Sequence, residues 1–313
     1  TIRIRRVHLE EDTGKLTHLA DENGDHSLVD LNRAGVPLLE IVTEPDLRSV
    51  EEARAYATAL RALLRYLGVT SGDMEKGVIR FEANISVRPL GSAEFGTRTE
   101  VKNLNSFRAL SRAAEYEIAR QSALVRAGGR VAQETLGWNE ASGETVSQRG
   151  KEEAHDYRYF PEPDLPPLEL ERAWIERIRA GLPELPQAKR DRFEREYGLS
   201  AYEAGVLAED QAVADYFEAA ARAGNGPAPR QIAHWLTGNL FGLMNQAGSE
   251  IGAIRVRPAQ LAELVELVNR GAINQNTGKA VLAEMFASGQ QPSAIVQARG
   301  LAQVSDEAEI ARQ

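Results

Sequence analysis

The sequence predicts an α+β protein, in which a mixed or antiparallel sheet with covering helices is followed by an all-α domain. Before residue 170, apolar and polar residues alternate along several segments, as they do in strands that bury one face. From residue 171 onward, apolar residues recur at helical spacing, and prolines and glycines stand where helices start and end. Strands combined with long covering helices are typical of the α+β class.

The clearest strand pattern covers residues 78–88, and residues 97–102 repeat its arrangement of carboxylates and cations on one face. Such a surface is either an ordinary solvated sheet face with cross-strand ion pairs or a functional one. Asn84, Asn103 and Asn105 are poor strand residues, which favours the functional interpretation.

Acidic residues concentrate near the first predicted strand, residues 2–7. Glu10, Glu11 and Asp12 follow one another, close to His8, in what we predict to be a turn. Adjacent carboxylates repel each other unless cations or a metal ion compensate, and oxygen ligands suit Mg²⁺ or Ca²⁺. An exposed acidic loop is the alternative.

Glu40 is the strongest single functional candidate on physical grounds. It stands in the middle of an almost wholly apolar strand, residues 36–46, where its neighbours on both sides are apolar. A buried carboxylate needs a basic partner, hydrogen bonds or a metal ion, and strongly perturbed acids cluster at functional sites. The alternative is a structural ion pair, for which Arg33 is a candidate.

Turn and capping residues delimit the remaining elements. Hairpins are predicted around ADENGDHS (20–27, with Asn23-Gly24 at its tip) and WNEASGET (138–145). Ser49 and Glu52 form a predicted capping box for a helix that ends at Gly68 and covers the sheet, and a second helix begins at Ser106. Further helices are predicted over 171–180, 186–197, 200–208, 210–223, 229–246, 258–269, 275–287 and 292–299, with a bundle core of Ile232, Trp235, Leu236, Leu240 and Leu243.

Composition narrows the function classes. The net charge of −9 argues against a globally basic nucleic-acid binder. The sequence contains no run of about 18 apolar residues, so we expect no membrane span. The absence of cysteine excludes disulfides, thiolate chemistry and a cysteine zinc site within these residues. No signal peptide is visible, so we expect a cytoplasmic protein. Because the sequence opens inside a strand pattern without Met, we expect an N-terminal portion to be missing.

Several long motifs resemble one family. The string DLNRAGVPLLEIVTEPD (30–46) resembles the signature of the B subunits of bacterial glutamine-dependent aspartyl/glutamyl-tRNA amidotransferases. The resemblance covers almost the whole chain in the same order, through HLEEDTGK (8–15), FEANISVRP (81–89), EVKNLNSF (100–107), DYRYFPEPDLPPL (156–168) and LPELPQAKRDRF (182–193).

The resemblance implies a cradle domain over 1–170, a helical domain over 171–300 and the start of a tail domain over 301–313. It also implies a complex with an amidase A subunit and a small C subunit. In that family, the side-chain carboxylate of misacylated Glu-tRNA or Asp-tRNA is phosphorylated with ATP and Mg²⁺. Ammonia released from glutamine by the A subunit then displaces the phosphate.

The resemblance also assigns roles to residues. Glu11 and Glu40 match metal-site carboxylates, and Glu82 stands where the family usually has Asp in a CDAN-type motif. Here Phe81 and Glu82 replace the Cys and Asp of that motif, so the longer Glu82 side chain would shift the metal or bind it through a water molecule. Phosphate contacts, which phosphoryl transfer requires, are assigned by our own inference to the cations Lys15, Arg80, Lys102 and Arg158.

Three alternatives remain at this point. The archaeal E subunit shares the cradle but carries a large insertion, whereas residues 168–186 here join the two parts directly, which favours the B type. A non-catalytic tRNA-binding scaffold and a stand-alone carboxylate–amine ligase are the other two. Convergence of Glu11, Glu40 and Glu82 within metal-ligand distance would favour catalysis, whereas scattered positions in unrelated environments would contradict it. We expect tRNA to contact a local basic patch formed by Lys189, Arg190, Arg192 and Arg195.

Overall fold

A computed structural model of the chain describes residues 1–21, 24–149, 163–164, 166–223 and 228–302. Contacts divide the chain into two compact units. The sheet unit contains Thr1–Ala57 and Glu82–Gly150, and the helical unit contains Thr58–Phe81 and Lys151–Gln313. The predicted domain borders near residues 170 and 300 remain predictions.

The described strands form three sheets, which confirms the predicted mixed α+β architecture. An antiparallel ribbon pairs β1 with β4, a hairpin pairs β2 with β3, and a four-stranded sheet has the order β5-β6-β7-β8. In that last sheet, β6 and β7 are parallel, whereas β7 and β8 are antiparallel. The strands are β1 Ile4–Glu11, β2 Lys15–Asp21, β3 Gly24–Asp30, β4 Pro37–Thr43, β5 Phe81–Ile85, β6 Thr99–Leu104, β7 Thr135–Asn139 and β8 Glu144–Arg149. The predicted tip of the first hairpin includes Asn23, which lies outside the described residues.

The strand predicted over residues 78–88 is shorter in the structure. Only β5, Phe81–Ile85, is extended and paired, and within it the apolar residues are more buried than their polar neighbours, as predicted. The backbone N–H of Val78 donates instead to the carbonyl of Asp73, at 2.9 Å. A turn therefore uses the hydrogen-bonding group that a longer strand would need, and the alternating pattern does not reveal this competition.

The helix that packs on the four-stranded sheet is α2, Phe107–Arg126, which contacts β6 and β8. Ser106 begins it as predicted, because its hydroxyl accepts a hydrogen bond from the N–H of Ala109 at 2.9 Å. We also predicted that α1, Val50–Tyr66, covers the sheet. Its second half belongs instead to the helical unit, where the Tyr66 hydroxyl donates to the carbonyl of Ala208 at 2.9 Å.

The helical unit follows the predicted helix boundaries closely. Its described helices are α3 Arg172–Ala180, α4 Pro186–Tyr197, α5 Ala201–Ala208, α6 Gln211–Ala221, α7 Pro229–Trp235, α8 Phe241–Ala247, α9 Pro258–Asn269, α10 Gln275–Ser288 and α11 Pro292–Ala298. The predicted single helix over 229–246 contains a π-helical turn, Leu236–Leu240, between α7 and α8. The apolar spacing does not reveal this turn, because the same residues also fit an α-helix.

The core of the helical unit contains the predicted apolar stripe. Ile232, Leu236 and Leu240 are fully buried, together with Phe193 and Phe217, whose rings meet edge to face with centroids 5.1 Å apart. Burying each such side chain contributes roughly 1.5–3 kcal/mol, so this stripe holds the bundle together. In the part of the chain that the structure describes, no helix combines the length and apolar character needed to cross a membrane.

Candidate functional site

One group of potential metal ligands stands on the ribbon of β1 and β4. The antiparallel register places His8 opposite Glu40, and Glu10 follows His8 on the same face. His8 Nδ1 lies 3.9 Å from a carboxylate oxygen of Glu10 and 3.9 Å from one of Glu40. Among the described residues, this is the group in which three ligand atoms lie within 4.8 Å of one another.

Glu11 does not join this group, although we predicted it as a ligand. The turn that we expected at Glu10 and Glu11 starts later, because β1 continues to Glu11 and the N–H of Asp12 donates to Val36 at 2.8 Å. Side chains alternate between the faces of a strand, so Glu11 lies on the face opposite to Glu10. The extended backbone thus separates two adjacent acids that a turn would have kept together.

Glu40 is less buried than its apolar neighbours suggested. Its side chain is 42% exposed, and its partner is the Arg6 guanidinium at 3.0 Å rather than Arg33. Arg33 pairs with Asp12 instead, at 3.4 Å. The expectation of burial fails because β1 and β4 form a two-stranded ribbon, which leaves both of its faces partly accessible.

The donor set of His8, Glu10 and Glu40 fits a divalent cation. Metal–ligand bonds of about 2.1 Å place neighbouring ligand atoms about 3.0 Å apart in an octahedron and about 3.4 Å apart in a tetrahedron. The two 3.9 Å separations from His8 Nδ1 would therefore shorten when all three groups bind one ion. The two carboxylates suit Mg²⁺ or Mn²⁺, whereas an imidazole nitrogen is a ligand more typical of transition-metal ions such as Zn²⁺ or Fe²⁺. The ion pair between Arg6 and Glu40 would compete with the cation for the same carboxylate.

A second cluster, the carboxylate–lysine cluster of Glu82, Glu100 and Lys102, lies on the four-stranded sheet. The Lys102 ammonium is 3.5 Å from Glu82 and 3.8 Å from Glu100. Burial raises the pKa of Glu82, Lys102 lowers it, and Glu100 raises it again; the net shift is upward. Because Glu82 stands on a different sheet from Glu40, the three predicted carboxylates Glu11, Glu40 and Glu82 do not form one three-ligand group among the described residues.

The four predicted phosphate-binding cations are distributed over separate elements. Lys15 begins β2 opposite Asp30 in the hairpin, and Arg80 is exposed just before β5. Lys102 belongs to the carboxylate–lysine cluster. Arg158 lies outside the described residues. Their roles therefore stay predictions.

Comparison with known proteins decides the family. Residues 1–176 match the GatB/GatE catalytic domain, and residues 215–313 match the GatB domain. The chain belongs to the GatB/GatE family. Relatives named as B subunits of aspartyl/glutamyl-tRNA(Asn/Gln) amidotransferases include those of Thermodesulfovibrio yellowstonii (51% identical, covering 99% of this chain and 64% of the relative) and Moorella thermoacetica (54%, covering 99% and 65%). The chain therefore spans less than two thirds of the length of these curated relatives, 64% and 65%.

Behind the carboxylate–lysine cluster of this GatB/GatE chain, α2 carries a polar network that the sequence analysis missed. Glu117 is fully buried and accepts hydrogen bonds from Thr99 (2.8 Å), Gln121 (2.9 Å), Thr145 (3.1 Å) and Arg120 (2.6 Å). Burial alone would raise the pKa of Glu117, but these hydrogen bonds outweigh it and hold the pKa below its usual value. The sequence did contain an indication of this burial, because Glu117 stands at helical spacing from the buried alanines of α2.

The basic patch that we predicted on α4 as a tRNA contact is a set of structural ion pairs. Lys189 is buried and bonds to Asp215 at 2.8 Å. Arg192 bridges Glu184 and Glu218, with contacts of 2.7 Å to each. The two remaining cations of the patch, Arg190 and Arg195, pair with acids of the same helix. Lys189 and Arg192 are therefore mostly buried in ion pairs, whereas Arg190 remains partly exposed and Arg195 exposed, and tRNA contact through α4 stays a prediction.

Proposed function

We propose that this chain carries out the ATP-dependent amidation of misacylated Glu-tRNA(Gln) and Asp-tRNA(Asn). The observation that carries the proposal is the group of His8, Glu10 and Glu40, whose donor atoms fit a divalent cation. The names of relatives that are 51–54% identical supply the substrate class. The ligand group lies within residues 1–176, which match the GatB/GatE catalytic domain, and the relatives match 99% of the chain.

The reaction has two steps: a phosphoryl group is transferred to the substrate, and ammonia then displaces it as phosphate. The side-chain carboxylate of the aminoacyl group takes the terminal phosphoryl group of ATP, and ADP leaves. Ammonia then attacks the carbonyl carbon and loses a proton while phosphate departs, which yields Gln-tRNA(Gln) or Asn-tRNA(Asn). A bound Mg²⁺ would neutralise phosphate charge during the first step.

The residue roles in this proposal come partly from geometry and partly from the motifs. His8, Glu10 and Glu40 hold the cation, with Arg6 as the competing partner of Glu40. Glu82 remains a candidate for a second carboxylate contact. The candidates that remain from the motifs alone are Glu11 as a catalytic carboxylate and Lys15, Arg80, Lys102 and Arg158 as phosphate contacts.

We further propose that the chain works beside an amidase A subunit, which releases ammonia from glutamine, and a small C subunit. The names of the relatives describe them as subunits, which supports such a multi-subunit assembly. Aminoacyl-tRNA is a cytoplasmic substrate, so we expect the complex in the cytoplasm.

The test uses the full-length protein in its complex, with Glu40→Gln. We expect ATP-dependent phosphorylation of Glu-tRNA to fall by at least about tenfold, because a carboxylate ligand is lost. Glutamine hydrolysis by the partner and tRNA binding should persist. Glu44→Gln is the matched control, since Glu44 pairs with Arg5 at 2.8 Å in the same segment without belonging to the ligand group. Phosphorylation at the wild-type rate in Glu40→Gln would contradict the proposal and favour a tRNA-binding scaffold.

A further inference from the structure

Gly137 on β7 leaves a space that two amide side chains fill. The parallel register sets Gly137 beside Lys102 of β6. A Cβ atom at Gly137 would stand 2.1 Å from Nε2 of Gln148 and 3.1 Å from Nδ2 of Asn103. Gly137 is buried and its φ is not positive, so the missing side chain matters here and not the backbone freedom of glycine.

Asn103 adopts an unusual backbone conformation at this point. Its φ is +64°, and among the described residues it is the non-glycine residue with a positive φ. Residues other than glycine seldom adopt a positive φ, and those that do cluster at functional sites. Positive φ also interrupts strand alternation, which allows the Asn103 amide to lie on the same face as the preceding Lys102.

The Lys102 ammonium already contacts two carboxylates, so the amides of Asn103 and Gln148 have more hydrogen-bonding capacity left for a new ligand. Lys102 is shared between Glu82 and Glu100, at 3.5 and 3.8 Å. The amide nitrogens of Asn103 and Gln148 both point into the space over Gly137. Each amide nitrogen can donate two hydrogen bonds, so this face of the sheet offers neutral donors next to a carboxylate–lysine cluster.

We propose that Asn103 and Gln148 form an oxygen-binding pair for the side-chain carboxyl group of the aminoacyl substrate. This inference rests on the proposed function and deepens it by assigning a subsite. Neutral N–H donors bind a carboxylate oxygen without cancelling its charge as a cation would, so the oxygen keeps the nucleophilicity that phosphorylation requires. Gly137 keeps the pair in place, because any side chain there would displace the Gln148 amide.

The experiment compares three variants of the full-length complex in the amidation of Glu-tRNA. Gln148→Ala removes one amide, and Asn103→Gly removes the other while tolerating the positive φ. Gly137→Ala displaces the flexible end of Gln148 without straining the backbone. Each change should lower kcat/KM by about tenfold to a hundredfold, the effect expected for a hydrogen bond to a charged group.

Two further variants separate oxygen binding from a merely structural role. Gln148→Glu keeps the size of the side chain but repels a substrate carboxylate, so its loss should exceed that of Gln148→Ala. The double variant Gly137→Ala with Gln148→Ala should lose no more than Gln148→Ala alone, because both changes remove the same amide. Glu144→Gln, exposed on β8, is the control and should keep wild-type kinetics.

The kinetics of these variants decide whether Asn103 and Gln148 bind the substrate oxygen. Wild-type kcat/KM in Gln148→Ala and Asn103→Gly, or in Gln148→Glu, would overturn the oxygen-binding pair while leaving the proposed function intact. A loss confined to Gly137→Ala would overturn it too, since the amides would then be dispensable. An inactive wild-type complex would overturn the proposed function, and this inference with it. Unfolding midpoints close to wild type in all variants ensure that the kinetic losses report on binding.

Discussion

Two carboxylates, Glu218 in the helical unit and Glu40 in the sheet unit, have opposite surroundings. Glu218 is 8% exposed on its side chain and accepts hydrogen bonds from Arg192 (2.7 Å), Arg222 (2.7 Å) and Tyr197 (2.9 Å). Glu40 is 42% exposed and shares its ribbon face with another carboxylate, an imidazole and one guanidinium. Three side chains donate hydrogen bonds to the single carboxylate of Glu218. On the ribbon face, the two carboxylates Glu10 and Glu40 have one guanidinium and one imidazole beside them.

The contrast teaches how to separate structural acids from candidate ligands. The hydrogen bond from Arg192 is the main cause that holds the pKa of Glu218 below its usual value. A carboxylate so saturated has no lone pair left for a ligand, and its removal leaves buried cations behind. A carboxylate with spare acceptor capacity can take up a cation from solvent.

Glu218→Ala should destabilise the helical unit by about 3–5 kcal/mol, because it leaves the buried Lys189 and the partly buried Arg192 with fewer partners. Urea unfolding of the chain measures this change. Glu196→Ala, which removes an exposed partner of Arg192, should cost no more than about 1 kcal/mol. Similar losses in both variants would mean that the number of donors around Glu218 has no structural significance.

Glu10→Gln and Glu11→Gln should differ in divalent-cation binding, because the two residues lie on opposite faces of β1. Glu10→Gln should weaken Mn²⁺ affinity about tenfold to a hundredfold, whereas Glu11→Gln should leave it nearly unchanged. Isothermal titration of the full-length protein with Mn²⁺ measures both. The reverse order would restore Glu11 as the ligand and show that the ribbon changes when the cation binds.

Acid should weaken the sheet unit partly through Glu117. Its pKa is lower in the folded chain than the value of about 4.3 for an unfolded Glu, so its contribution is present above that pH. The contribution is lost as the pH falls through the folded value. Urea midpoints measured between pH 6 and pH 3 should therefore fall less steeply in Glu117→Gln than in wild type. An equal slope would show that Glu117 does not titrate in this range.

Arg6→Gln should have the smallest effect and the opposite sign. Removing the guanidinium that lies 3.0 Å from Glu40 frees a carboxylate oxygen and makes the ribbon face more negative. Affinity for Mn²⁺ should rise by a few-fold, the size expected for one partly exposed ion pair. Weaker binding in Arg6→Gln would indicate that Arg6 orients Glu40 instead of competing with the cation.

Elements that depend on local interactions can be predicted from the amino-acid sequence alone. Ser106 begins α2, the helices of the second half follow their proline and glycine punctuation, and the stripe around Ile232 is the core. Local hydrogen bonds and apolar periodicity suffice for these features. The motifs also identified the family, which the match over residues 1–176 confirms.

Which of the acids Glu10, Glu11 and Glu40 lie close together depends on the tertiary structure. β1 continues to Glu11, four residues beyond the predicted end of the strand, which turns Glu11 away from Glu10, and pairing with β4 brings His8 to Glu40. Strand register and ion-pair partners depend on residues far apart in the chain, so the composition of a motif does not reveal them. The same reason explains why the buried Glu117 and two cations of α4, Lys189 and Arg192, were misjudged: partners of each come from other elements.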